Sequence, residues 1–194
     1  MDLKYPNGAT PLDKNETEGL IPTNITTREE LDRWEQDNIN EAIVRLERRS
    51  PKDILTEQFI KRLHKQMFGN VWQWAGRFRQ SEKNIGGPWH RIPTDLKSLC
   101  DDARFWIEKE TYPQEEIAVR FHHRLVSIHP FPNGNGRHAR LMTDVLLEII
   151  FKKSRFSWGS GDLINSGDCR RRYIDALHAA DKFDYGPLLQ FAKS

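Results

Sequence analysis

The feature that most restricts this chain is a break between two helical patterns. Ile117, Ala118, Phe121, Leu125 and Ile128 recur at helical spacing, and Leu141, Val145, Leu146 and Ile149 do so again. Between them lies His129-Pro130-Phe131-Pro132-Asn133-Gly134-Asn135-Gly136-Arg137-His138-Ala139-Arg140. Pro130 and Pro132 stop the first helix, and Gly134 and Gly136 permit the bend from which the second starts. Other helical stripes follow the same logic. Leu31, Trp34, Ala42, Ile43 and Leu46 follow a cap at Thr26 or Thr27, favoured by Glu29 and Glu30, and end at Pro51. Phe59, Leu63 and Met67 lead to Gly69; Leu96, Leu99, Ala103 and Trp106 form a further stripe; Tyr173, Leu177 and Leu188 mark two more helices. From Arg77 to Pro93 the periodicity fails, and Gly86-Gly87-Pro88 between Phe78-Arg79 and Arg91-Ile92 predicts a short exposed β-hairpin, the flap. The expected fold is mostly α, a compact bundle of about six to eight helices with that hairpin.

The loop has an odd composition for a turn. Gly134 and Gly136 let successive N–H groups face one concavity, and the following helix adds its own unpaired donors. Arg137 and Arg140 fall in the first turn of that helix, where the macrodipole disfavours cations unless an anion lies between them and the backbone. At i, i+3 both guanidinium groups point to one side, and two adjacent phosphates suit them. His129 enters rigidly from the preceding helix, and a neutral imidazole there takes a proton from an attacking hydroxyl, as nucleotidyl or phosphoryl transfer requires. Each feature alone reads as a tight turn, a helix cap or a solvated arginine. Their coincidence favours a site.

With 194 residues and 37% hydrophobic content, the chain supports one sizeable core. Residues 1–25, rich in Pro, Gly, Asn and Thr, read as an N-terminal arm and residues 26–194 as the domain. A formal charge of +2 gives no field for nucleic acid, so no direct nucleic-acid binding is expected. No apolar run is long enough for a bilayer and the N-terminus lacks an apolar signal core, so a cytoplasmic protein with no membrane contact is expected. Cys100 and Cys169 match neither a zinc site nor a disulfide framework. His122, His123, His129 and His138 lack metal-ligand spacing, and the first two read as surface groups or supports behind the site. Trp34, Trp72, Trp74 and Trp106 read as core rather than a base-stacking platform; His90 reads as exposed on the flap.

At His129 to Arg140 the sequence resembles the Fic family, whose motif is H-x-F-x-D/E-G-N-G-R-x-x-R, at every defined position except Asn133. Trp74 to Arg79, Phe156-Ser157-Trp158, Tyr173-Ile174 and Asp184-Tyr185 are similar to Fic segments too. Among small members the chain looks most like the stand-alone bacterial group called mobile mystery protein B. The resemblance implies a protein adenylyltransferase that moves AMP from ATP, with Mg²⁺ or Mn²⁺, to a Ser, Thr or Tyr hydroxyl of a target protein. It implies His129 as general base, Gly134, Asn135 and Gly136 as the anion hole, Arg137 and Arg140 as phosphate clamps, and Phe131 as structural anchor. Asn133 stands where the family holds the metal with a carboxylate. Ile85, Gly86 and Gly87, in the flap over residues 79–93, would pair with an extended target. Glu18-Gly19 partly matches the family's inhibitory helix, implying a Glu18–Arg140 pair that competes with the outermost phosphate. A small helix-turn-helix partner is implied as well. Two alternatives stay open: other Fic chemistry (phosphoryl or other nucleotidyl transfer, or removal of AMP), and a non-catalytic module that binds a phosphorylated ligand, for which Asn133 is the best argument.

Overall fold

The computed structural model describes residues 10–48, 51–161, 163 and 167–194. Among these are eight α-helices: α1 (Lys14–Thr17), α2 (Arg28–Arg48), α3 (Glu57–Phe68), α4 (Ile92–Glu108), α5 (Gln114–Ile128), α6 (Asn135–Leu146), α7 (Asp168–Ala180) and α8 (Gly186–Lys193). Local chemistry sets the starts. Thr27 Oγ1 accepts the Glu30 N–H at 3.2 Å while Glu30 Oε2 accepts the Thr27 N–H at 3.0 Å, a capping box that opens α2. Thr56 Oγ1 accepts the Phe59 N–H at 3.2 Å and opens α3. Each such cap contributes about 1 kcal/mol.

Helices α3 to α6 bury the main core. Leu63 and Phe68 of α3, Leu96 and Leu99 of α4, Phe121 and Leu125 of α5, and Met142 and Leu146 of α6 share one apolar cluster with Phe131. Each large side chain there contributes about 1.5–3 kcal/mol of transfer free energy. A second cluster joins Val119 of α5 to Trp158, Tyr173, Leu188 and Phe191, and so docks α7 and α8. α5 and α6 pack side by side, which leaves the loop that links them at the meeting point of the two clusters.

Two expectations change and a third is narrowed to one of its alternatives. The flap forms no hairpin: residues 78–88 run without strand pairing into a 3-10 turn at Trp89–Arg91, which carries the exposed His90. The reason is Arg79, buried to 2% exposure, whose guanidinium donates to the carbonyls of Ser81 and Gly87 and satisfies from within the groups a cross-strand ladder would have paired. Trp34 is 44% exposed, because α2 buries Leu31, Glu35, Asn38, Ile39 and Ala42 instead. His122 lies wholly inside, its Nε2 2.9 Å from the Tyr173 hydroxyl.

Residues 1–9 of the expected arm lie outside the described residues. Residues 10–25 pack on the domain. Leu20 forms an antiparallel bridge with Trp72, flanked by Ile21 N–H to Val71 O and Gln73 N–H to Gly19 O, both at 2.9 Å. Trp74 Nε1 donates to the Glu16 carbonyl at 2.9 Å, and Ile25 is buried. No helix among the described residues is long and apolar enough to cross a membrane.

Candidate active site at the α5–α6 loop

His129 follows α5 in the left-handed conformation, φ 53° and ψ 60°, an arrangement that turns the chain sharply into Pro130. Arg79 holds this turn from below: its Nε donates to the His129 carbonyl at 2.7 Å and its N–H to the Pro130 carbonyl at 3.0 Å. Phe131 then plugs into the core, fully buried and stacked on His64 at 3.7 Å between ring centroids. His64 Nδ1 accepts the Gly76 N–H at 3.0 Å, so its Nε2 carries the proton that reaches the Asn133 carbonyl at 3.1 Å. Asn135 folds back on the loop, accepting the Phe131 N–H at 2.9 Å and donating to the Phe131 carbonyl at 2.8 Å. Its side chain is therefore a loop brace, and only its backbone N–H is left for an anion. Gly134 takes φ 76°, and a Cβ there would meet the Phe68 ring at 2.6 Å, so the turn admits no larger residue.

These constraints aim the first-turn N–H groups of α6 into a cavity of about 520 Å³. Gly134, Asn135, Gly136, Arg137 and Arg140 line one end, with His129 and Asn133 beside them; Val126, Ile174 and Leu177 line an apolar part. The arginines differ. Arg137 is paired with the buried Glu35, Nη1 to Oε2 at 2.7 Å, and lies over the Phe68 ring. Arg140 faces the Tyr173 ring at 5.5 Å and makes no ion pair among the described residues. Burial lowers its pKa, the neighbouring Tyr173 hydroxyl opposes this, and the guanidinium stays a cation.

Burial and then the Arg79 charge depress the His129 pKa to about 4, partly offset by the Val126 carbonyl, so the imidazole is neutral at physiological pH. Its Nε2 lies 2.8 Å from Thr10 Oγ1. His123, by contrast, lines the cavity paired with Asp181 through Nε2 at 2.8 Å, and His138 donates from Nε2 to the Ile60 carbonyl at 3.0 Å.

Two expected roles are not brought together. Glu18 sits exposed at the C-cap of α1 and its side chain pairs with no group among the described residues, Arg140 included, because α1 leans toward the flap. Asp13 and Glu16 there bind Lys83 at 2.8 and 2.6 Å. Asn133 does not present a metal ligand either. Its Oδ1 accepts the Gly134 N–H at 2.6 Å and its Nδ2 donates to the Thr10 carbonyl at 3.0 Å, and no cluster of three metal-ligating side chains occurs among the described residues. This donor set does not fit a protein-held Mg²⁺. Of the flap residues, Gly86 does reach the site: a Cβ on it would lie 2.6 Å from His129 Cβ.

Of four supporting residues, three had only weak signals in sequence. His64 sits beside Leu63 in an apolar stripe, Glu35 in a helix face, and Arg79 at the edge of an irregular stretch; Thr10 carried none.

A model of the Fic/DOC family matches residues 54–147. A protein adenylyltransferase Fic from Aedes aegypti is 30% identical over 143 residues, 72% of this chain and 27% of the relative. The corresponding Drosophila melanogaster protein is 31% identical over 141 residues, 71% of this chain and 27% of the relative. The chain thus spans about 27% of the length of these curated relatives. Among solved structures, the N-terminal Fic domain of a VirB-translocated Bep effector protein from Bartonella quintana superimposes with a TM-score of 0.72 at 16% identity, over 92% of this chain and 91% of that one. Fic-1 from C. elegans gives a TM-score of 0.64 at 22% identity, over 91% of this chain and 51% of that one.

Proposed function

Because the chain belongs to the Fic/DOC family, we propose that it is a nucleotidyltransferase that moves AMP from ATP onto a protein hydroxyl. The observation that carries this reading is the shared cavity: a neutral His129, the open first turn of α6 and the uncommitted Arg140 all face one space. The triphosphate lies against the amides of Gly134 to Arg137 with Arg140 on its outer oxygens, and the nucleoside extends toward Val126, Ile174 and Leu177. The acceptor oxygen attacks the α-phosphorus as its proton passes to His129 Nε2; the bond to the β-phosphate oxygen breaks and pyrophosphate leaves. The α6 amides and Arg140 stabilise the charge that builds on the phosphoryl oxygens. Ile85 to Gly87 border the acceptor side. No step is assigned to a metal held by protein side chains. The reading carries with it the bacterial setting and the small helix-turn-helix partner that the resemblance implies, and the cytoplasmic location expected from the sequence.

The test is intact mass after incubation with ATP and Mg²⁺ or Mn²⁺, with a candidate target added and His129→Ala as control. A gain of one AMP that disappears in His129→Ala is expected. A gain of one phosphate would replace this reaction by phosphoryl transfer.

A further inference from the structure

The residue that reaches the general base is Thr10, whose chain position is 119 residues away. Its hydroxyl contacts Nε2, the imidazole nitrogen that faces the cavity, and Thr10 itself lines that cavity together with Gly134, Gly136 and Arg140. The segment is held at Thr10 and again three residues further on. Asn133 Nδ2 grips the Thr10 carbonyl at 3.0 Å, and three residues on Asp13 binds Ser81 Oγ at 2.7 Å and Lys83 Nζ at 2.8 Å on the flap segment. The arm thus runs between flap and loop, where an acceptor segment has to pass.

From this geometry we infer that Thr10 is an acceptor in cis: the chain transfers AMP from a nucleoside triphosphate to its own Thr10 hydroxyl. The inference rests on the adenylyl-transfer reading of the site. The Thr10 Oγ–P bond forms as the bond between the α-phosphorus and the bridging oxygen to the β-phosphate breaks; the Oγ proton passes to His129 Nε2, and pyrophosphate departs. A tethered hydroxyl needs no encounter step, because the arm supplies it at high effective concentration. The same arrangement accounts for Asn133. A carboxylate at that position would set two acceptors against each other at the Thr10 carbonyl, whereas the amide donates to it and still accepts the Gly134 N–H.

The full chain is incubated with ATP and Mg²⁺ or Mn²⁺, and intact mass, the modified peptide and pyrophosphate release are followed for wild type, Thr10→Ser, Thr10→Val and His129→Ala. The expected result is one AMP on the peptide containing Thr10, formed at a rate that does not change with protein concentration. It persists in Thr10→Ser and is lost in the near-isosteric Thr10→Val and in His129→Ala. AMP on another residue, or an undiminished adduct in Thr10→Val, overturns the inference and leaves adenylyl transfer standing. A rate proportional to protein concentration overturns transfer in cis. His129-dependent pyrophosphate release without any adduct removes Thr10 as acceptor alone. The absence of both adduct and pyrophosphate release overturns the reading of the site itself, and Thr10 with it.

Discussion

Glu35 holds the Arg137 guanidinium at 2.7 Å while its other oxygen accepts the Trp72 indole N–H at 2.6 Å. One of the two loop arginines is therefore tied to α2 and the core, and the other faces the cavity without a carboxylate. Truncating them has opposite consequences. Arg137→Ala strands a carboxylate that is 3% exposed, which costs about 3–5 kcal/mol of stability. Arg140→Ala strands no carboxylate, but removes charge-assisted hydrogen bonds to phosphate worth about 1.5–3 kcal/mol each, hence roughly tenfold or more in ATP affinity. Thermal unfolding and nucleotide titration of both variants check this. Equal effects on both readouts would reject the division of labour.

Asn133→Asp exchanges a donor for an acceptor at the Thr10 carbonyl while keeping the bond from the Gly134 N–H. The arm should open more often, by about tenfold for one lost hydrogen bond, and nucleotide binding should become more dependent on Mg²⁺ because a carboxylate now stands beside the phosphates. Hydrogen exchange across residues 10–20 and titrations with and without Mg²⁺ measure the two effects. Unchanged protection of the arm would detach Asn133 from it.

The parts of this site that are local in sequence were legible there. Gly134, Arg137 and Arg140 lie within two turns of one another and line one cavity, and their spacing alone suggested an anion site. The helices were legible for a related reason, since α3, α5 and α6 bury faces at the helical period. α2 was harder to read because its buried stripe includes Glu35 and Asn38, polar residues satisfied by partners in other segments: Trp72 for the first, Gln66 O and Asn70 N for the second. Apolar Trp34 then competed for the inward face and was misplaced. Gly86-Gly87 misled differently. The pair reads as turn chemistry, yet Gly86 is small because His129 and Arg79 press on it. Thr10, Arg79 and His64 act only through long-range contacts, which no periodicity records.

Stability should fall steeply between pH 6.5 and 4. Burial depresses His122 to about 3 and His129 and His138 to about 4, whereas in the unfolded chain each titrates near 6.5. Below 6.5 the unfolded state takes up protons that the native state refuses, so the stability present above that pH is lost as it falls through the window. Asp144 works in the opposite sense: burial, opposed by the Trp158 indole N–H, raises it to about 7, so between pH 3.8 and 7 the native state holds the extra proton. Burial lowers the pKa of His64 in the same direction, so four histidines outweigh one aspartate. Melting temperatures across this range should drop on acidification, and more steeply in Asp144→Asn, where the opposing proton is gone. A flat profile would contradict the burial of these imidazoles.

The contact of Gly86 with His129 gives the sharpest local test. A methyl group there lies 2.6 Å from His129 Cβ and 2.9 Å from Arg79 Nη2, and the residue has φ +107°, a region that costs a residue with a side chain about 1–3 kcal/mol. Gly86→Ala must therefore either unfold the flap segment or push His129 away from the Thr10 hydroxyl. At Gly87 the nearest obstacle to a methyl group is Asp95 Oδ2 at 3.9 Å, ordinary contact. Gly86→Ala is expected to lower the melting temperature by several degrees and to reduce nucleotidyl transfer by about tenfold or more, since misplacing a base weakens proton transfer far more than binding. Gly87→Ala should leave both near wild type. Similar losses in the two variants would mean that the segment acts through its general mobility, not through the contact between Gly86 and His129.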